Sequence, residues 1–547
     1  MRTTLFCRPH DLNAAEDEYL EKLPGAKLSN VQWDPDRICL VGTRLQLLDD
    51  IIEWANYPES PRILWLSGAA GTGKSCVANS VAQHFDSLGR LGASFRFDRN
   101  VVQPETPGQL FGNLCFQLAQ FDNQIRTAVL SVMRRGGVRG MALRMQAKSL
   151  LVNTTKSTEI VGPIVILIDA LDESGTDNSQ IEPNREGLVR AIAKELPELP
   201  LSIKVLITSR DEGIISRLMP SCSSCRRMSI DNVLNTETDI RQYIRHRMGD
   251  IRKFFRNLPE NWPGPTTESE LARRADSLFI WASVATAYLE SSGCHDPSVQ
   301  LKTLLDTSND ILTAESKLHR LFMHVFLNSL PTEGSPANSW RYVVGSIVAL
   351  KTPLTCRDMD SLLGLPSGQA ILLDGRQINL NSSYGTVQSL RPILRIDADV
   401  KDVVRLLHKS VFDFLTCYAN QSIRVELGAQ NAILAMRCLR HMNCNLQYDI
   451  CRIGNKTLLN SQVNGLPGRV RDCIPEALCY ACRYFAYHLN DAPNPVPDLM
   501  DELCTFITQK LLHWIEAMSL LNQLYEAEIC LEILSDCLKV NSINSLI

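Results

Sequence analysis

The run PRILWLSGAAGTGKS, from Pro61 to Ser75, leaves this chain fewer ways to fold than any other stretch of it. Its first half, Ile63 to Leu66, is a short apolar run of the kind that makes a buried parallel strand. Its second half, Gly68, Ala69, Ala70, Gly71, Thr72, Gly73, Lys74 and Ser75, matches G-x-x-x-x-G-K-[ST] in full. Glycines let the backbone curl so that successive N–H groups converge on a phosphate, at the start of a helix whose dipole favours negative charge. Lys74 is then expected to reach the β- and γ-phosphates as a point charge, and the Ser75 hydroxyl to enter the shell of a Mg²⁺ ion. With Cys76 the stretch from Gly68 onward forms the expected binding set for ATP or ADP. The alternative is a glycine-rich turn with no ligand. Against it stands the order of strand, loop and amphipathic helix, the last marked by Val77, Val81 and Phe85.

A second run complements the first. IVILIDALDES, Ile164 to Ser174, carries five apolar residues into Asp169, with Asp172 and Glu173 on the turn beyond. A carboxylate at the C-terminal end of a buried parallel strand lies at the sheet edge where phosphates bind, so Asp169 is expected to hold the water shell of Mg²⁺. Asp172 and Glu173 are placed to orient an attacking water, the alternative being that they only cap the loop. The strand Ile203 to Thr208 ends in Ser209 and Arg210, and Arg210 is expected to face the same crevice and sense a γ-phosphate. Its alternative is a surface arginine paired with Asp211 or Glu212. Lys74, Asp172, Glu173 and Arg210 are therefore the catalytic candidates, and Ser75 and Asp169 the metal ligands.

At 547 residues the chain is too long for one core. A formal net charge of −4 gives no basic surface to recommend nucleic acid as a partner. The basic patch RRGGVRG (134 to 140) is short and lacks interleaved aromatics, so a solvated loop is expected there. The 18 cysteines are scattered without a framework, which suits free thiols in a reducing cytosol. Cys222 with Cys225, and Cys479 with Cys482, are spaced as metal half-sites but have no matching second pair. No apolar run is long enough to span a membrane, and the first twenty residues make a poor signal peptide. The expected location is cytoplasmic.

The fold class read from this pattern is α/β: a P-loop NTPase with a parallel sheet and helices on both faces, then helical and winged-helix domains and a C-terminal all-α domain. The expected bounds are a partly ordered segment over 1–37, a nucleotide domain over 38–250, a helical domain over 251–335, a winged-helix-like domain over 336–420, and helices over 421–547. Helices followed by short strands near Arg391 to Ile396 and Val403 to Leu407 carry the fourth of these. Breaks are expected near 293 to 298 and from Asp491 to Pro497.

Taken together, SGAAGTGKS, IVILIDALDES, KVLITSR and the LFIWA ending near Ala282 resemble a fungal NACHT-type signal-transduction ATPase of the STAND class. The resemblance continues through GSIVALKTPLTCRDMDSLLGL, LLHKSVFDFL, ALCYACRYFAYHL and KLLHWIEAMSLL, covering the chain from about residue 38. It implies a switch with slow ATP hydrolysis, closed by ADP and opened by ATP to form homo-oligomers that engage a protein effector. It also implies that Val41, Gly42 and Arg44 line the adenine and that His408 touches the ADP β-phosphate. Two positions depart from the family pattern: Asp211 stands in place of a proline, and Val411 in place of an aromatic. The WD40, ankyrin or TPR repeats usual in such proteins are not legible after residue 420. The alternatives are a conventional P-loop ATPase or phosphotransferase with steady turnover, and a scaffold that holds ADP permanently.

Overall fold

The computed structural model describes residues 14–26, 33–97, 106–138, 140–156, 162–174, 182–291, 296–306, 313–331, 335–365, 370–371, 377–378, 383–397, 402–454, 458–492 and 497–544. Part of each expected break, near 293 to 298 and from 491 to 497, lies outside the described residues, as does Arg139 of the basic patch. The chain divides into two compact units: Met1–Glu290 with His295–Lys317, and Ser291–Cys294 with Leu318–Ile547.

The first unit is built on five parallel strands: β1 (Ile63–Ser67), β2 (Leu91–Arg96), β3 (Ile164–Asp169), β4 (Ile203–Ser209) and β5 (Cys225–Ser229). Their order across the sheet is β2-β3-β4-β1-β5. β4 thus lies between the strand that leads into the glycine loop and the strand that ends in Asp169. The sequence pattern marks β1, β3 and β4 as strands and leaves β5 unmarked. That strand's residues, CRRMS, are mostly polar and half-exposed, as an edge position permits, and so carry no apolar signal.

Alternation explains how the apolar strands are buried on both sides. Ile63, Trp65, Ile166, Ile168, Val205 and Ile207 enter one core cluster. Leu64, Leu66, Val165, Leu167 and Leu206 enter the other, as the period of two requires. The second face is covered by α1 (Leu45–Asn56) and α2 (Lys74–Ser87), the latter through Val77, Val81 and Phe85. Full burial of Phe85 contributes roughly 1.5–3 kcal/mol and fixes the helix that begins at Lys74. The first face is covered by α3 (Thr106–Phe121), α4 (Asn123–Arg134) and α5 (Glu182–Glu195). A helix over Ala14–Leu20 joins them, with Leu20, Leu23 and Ala26 in the same cluster. Two further helices matter to the site, α6 (Thr236–Phe254) and α7 (Phe279–Glu290).

The second unit is largely helical. It holds α8 (Ser335–Ala349), α9 (Cys356–Leu363) and an antiparallel pair, β6 (Leu394–Asp397) and β7 (Val403–Leu406). A short helix, α10 (Lys409–Asp413), leads on to α11 (Leu427–Asn445) and α12 (Glu476–Asn490), which pack on each other. Their contact contains a closed polar chain. The Lys351 N–H donates to the Tyr480 hydroxyl (2.9 Å), and the hydroxyl lies 2.7 Å from His488 Nε2. His488 Nδ1 lies 2.6 Å from the Asn431 carbonyl oxygen, and Asn431 Nδ2 donates to Leu427 O at 2.9 Å. Because the Asn431 oxygen only accepts, Nδ1 carries the proton and Nε2 accepts from Tyr480. Burial, with Lys351 adding to it, holds the imidazole well below its ordinary titration range and therefore neutral. Cys479 and Cys482, spaced as a metal half-site, are both buried on this same α12.

No helix among the described residues is long and apolar enough to cross a membrane.

Candidate functional site

The glycine loop runs from the end of β1 into α2, and its conformation explains its composition. Gly71 and Gly73 have φ of +77° and +95°, left-handed values that strain any residue with a Cβ. At Gly71 a Cβ would also stand 2.1 Å from Ile280 Cγ2. Lys74 opens α2, and its ammonium donates to Gly68 O and Ala69 O, both at 2.8 Å, folding the side chain back across the loop. Burial pushes this ammonium below its ordinary pKa, against the opposing pull of Asp172. Cys76 is likewise pushed up by burial, so it remains a thiol.

Ser75 is the link to the second motif. Its hydroxyl donates to Asp169 Oδ1 at 3.1 Å, which brings the loop and the end of β3 into one crevice. The same carboxylate oxygen accepts from Thr208 Oγ1 on β4 at 2.5 Å. The other, Oδ2, is buried without a hydrogen bond, 3.7 Å from Arg96 Nε. A hydroxyl beside a carboxylate with one unused oxygen is a hard-oxygen donor set, and it fits Mg²⁺.

Beyond Asp169 the chain turns through Ala170 at φ +56°, a left-handed value unusual for alanine, with its N–H donated to Thr208 Oγ1 (2.9 Å). The turn brings Asp172 under the end of β4. Asp172 Oδ1 accepts from the Arg210 N–H at 3.1 Å, and Oδ2 lies 3.4 Å from Arg210 Nε. Arg210 also approaches Glu212 at 3.9 Å, while Asp211 pairs with Arg227. Asp172, expected to orient water, is thus engaged in holding Arg210. Glu173 follows it in the same short turn, Leu171–Glu173.

Upstream of the loop, Val41, Gly42 and Arg44 dock on α6. Gln242 Nε2 donates to Val41 O (3.1 Å), and the Val41 side chain itself stands in solvent, the residue being 88% exposed. Arg44 is 4% exposed. Its main-chain N–H donates to Asp239 Oδ2 (3.1 Å), Nη1 to Thr236 Oγ1 (2.8 Å) and Nη2 to Thr72 O (3.1 Å). Its guanidinium lies 5.0 Å from the centre of the Phe279 ring.

Two contributors went unnoticed in the sequence. Asp231, just past β5, accepts the Ala69 N–H at 3.1 and 3.2 Å, bracing the start of the loop. The N-terminal turn of α7 meets its crest, where Ile280 N–H donates to Gly71 O at 3.1 Å. Neither residue was given a role at the loop, although Ile280 lies within the LFIWA run.

His408 belongs to the second unit. Its Nδ1 accepts the Ser410 N–H at 3.1 Å and lies 2.9 Å from Ser410 Oγ, capping α10. A groove of about 500 Å³ between Ala128, Arg135, Met141 and Asn153 in the first unit includes none of the site residues.

One of the comparisons with known proteins falls on the same region. The Nephrocystin 3, N-terminal family model matches residues 42–210, a span that begins at Gly42 and ends at Arg210. The vegetative incompatibility protein HET-E-1 of Podospora anserina is 22% identical over 387 residues, covering 66% of this chain and 26% of that protein. The chain thus spans about a quarter of that relative's length. Among solved structures, a STAND protein with a tetratricopeptide repeat sensor from Pyrococcus horikoshii superposes with a TM-score of 0.37 at 11% identity, covering 90% of this chain and 64% of that one. The E. coli HORMA:CdnC:Trip13 complex gives 0.27 at 13% identity, covering 55% and 93%.

Proposed function

We propose that this chain, a NACHT-type STAND NTPase of the fungal NLR-like kind, is a switch that binds ADP or ATP with Mg²⁺, hydrolyses ATP slowly and changes its self-association with the nucleotide held. One observation carries the reading: the Ser75 hydroxyl and the Asp169 carboxylate meet at 3.1 Å, immediately beside Lys74 and the loop amides. Strand-end carboxylate and phosphate loop therefore open on one crevice, where the Ser75 hydroxyl and the Asp169 carboxylate would hold the Mg²⁺ of a bound triphosphate. Mg²⁺, held by Ser75 and Asp169, neutralises phosphate charge when bound. Lys74 gives up its carbonyl partners to meet the β- and γ-phosphates. Arg210, steadied by Asp172, faces the γ-phosphate, and Glu173 orients the water. Val41 and Gly42 border the base.

The remaining parts of the switch follow from the family. The helices and hairpin of the second unit, from Ser335 to Asp413, serve as its winged-helix element, as the family resemblance implies. A ligand moves such an equilibrium only by the difference in its affinity for the two states. ATP favours a homo-oligomer that recruits a protein effector in the cytoplasm.

The test is Glu173→Gln, with Asp172→Asn beside it, followed by light scattering and turnover in Mg²⁺–ATP. The expected result is trapped ATP, a larger mass and wild-type turnover below about one per second. No change of mass in either variant contradicts the switch. Wild-type turnover well above that rate favours a conventional ATPase.

A further inference from the structure

Two carbonyl groups at the crest of the loop, Gly71 O and Thr72 O, are each gripped from outside it. Ile280 N–H, in the first turn of α7, holds Gly71 O at 3.1 Å, and Arg44 Nη2 holds Thr72 O at 3.1 Å. A trans peptide directs its carbonyl and the following N–H to opposite sides. Gripping these two oxygens therefore fixes where the Thr72 and Gly73 N–H groups point, which is away from α7 and Arg44.

The grip is itself fixed. Arg44 is anchored to α6 by Asp239 and Thr236, and its side chain lies over the Phe279 ring. Tyr243 meets that ring edge-on, with centroids 6.1 Å apart. Ile280 fills the space that a Gly71 side chain would need, so the helix rests directly on loop backbone. The Arg44 side chain is enclosed in this arrangement. It is 4% exposed, both terminal nitrogens are committed, and Nε is enclosed without a hydrogen bond.

We propose that Arg44 and the first turn of α7 are positioning elements for the polyphosphate: they hold the loop's outer carbonyls so that its amides stay turned toward the anion. This rests on the nucleotide-binding reading above and assigns Arg44 to the phosphates, where the family resemblance gave it to the base. The consequence is specific. Losing the brace weakens every ligand that carries the phosphate chain and spares the nucleoside.

The experiment measures affinities of the full chain for ADP, inorganic tripolyphosphate with Mg²⁺, and adenosine, in wild type, Arg44→Ala, Arg44→Lys and Ile280→Ala. Arg44→Ala is expected to weaken ADP and tripolyphosphate by the same factor, roughly tenfold to a hundredfold, and to leave adenosine unchanged. Arg44→Lys, with one ammonium in place of a fork, is expected to lose nearly as much. Ile280→Ala, which removes the wedge and no charge, is expected to lose less in the same pattern. If Arg44→Ala does not fold, the other two variants carry the same comparison. Equal losses for ADP and adenosine, or unchanged ADP affinity in all three variants, overturn the proposal. Lys74→Ala is the control that separates it from the underlying reading: a loss of ADP binding there with none in the Arg44 variants leaves the nucleotide site standing and removes only the brace.

Discussion

The crevice at the phosphate loop and the contact of α11 with α12 both enclose polar groups that water scarcely reaches, yet they handle hydrogen-bonding capacity in opposite ways. From Lys351 through Tyr480, His488 and Asn431 to Leu427 each donor meets one acceptor, and the chain closes. At Asp169 one carboxylate oxygen accepts two hydrogen bonds while the other, buried 3.7 Å from Arg96 Nε, accepts none. A closed network of this kind orders a core, whereas an unused buried acceptor costs about 1–3 kcal/mol until something meets it. The contrast separates polar groups that serve the fold from those kept for a ligand.

Substitutions in the two regions are therefore expected to fail differently. His488→Phe leaves the Tyr480 hydroxyl proton without its acceptor and the Asn431 carbonyl without its donor, and is expected to destabilise the protein by about 3 kcal/mol. Denaturant unfolding measures this, and ADP affinity is expected to be unchanged. Asp169→Asn should do the reverse, removing roughly tenfold to a hundredfold of the Mg²⁺-dependent part of ATP affinity with little loss of stability. Either variant acting in the other's manner would break the distinction.

Acid sharpens it. The unfolded chain protonates His488 near its ordinary value of about 6.5, whereas the folded chain resists until much lower pH. The His488 contribution is thus fully present above that pH and declines as pH falls below it, by up to about 1.4 kcal/mol per unit. Unfolding midpoints from pH 7.5 to 5 should show this slope in wild type and a shallower one in His488→Phe. The smallest effect is at Ala170, held at φ +56°, where Ala170→Gly relieves strain and is expected to add about 0.5 kcal/mol in the same unfolding measurement.

What could be read from the chain alone follows this same division. The strands β1, β3 and β4, the glycine loop and Asp169 were legible because each couples a local apolar run to a residue type suited to phosphate or metal chemistry. Asp231 and Ile280 were not, since they reach the loop from 162 residues away and through a main-chain N–H respectively. Arg44 was picked out, but its reach to Thr72 O was not, because position before the loop says nothing of it. Asp172 was read on the turn beyond β3, yet its pairing with Arg210 depends on β4 lying beside β3, which no spacing records. The His488 chain left no trace, its members being spread over α11, α12 and the bend at Lys351, none with a pattern of its own.

The most direct test is a calorimetric titration of ATP, with and without Mg²⁺, into the wild-type chain and into Lys74→Ala. The account predicts binding that Mg²⁺ strengthens in the first and no measurable heat in the second. Equal affinity in the two proteins would contradict it.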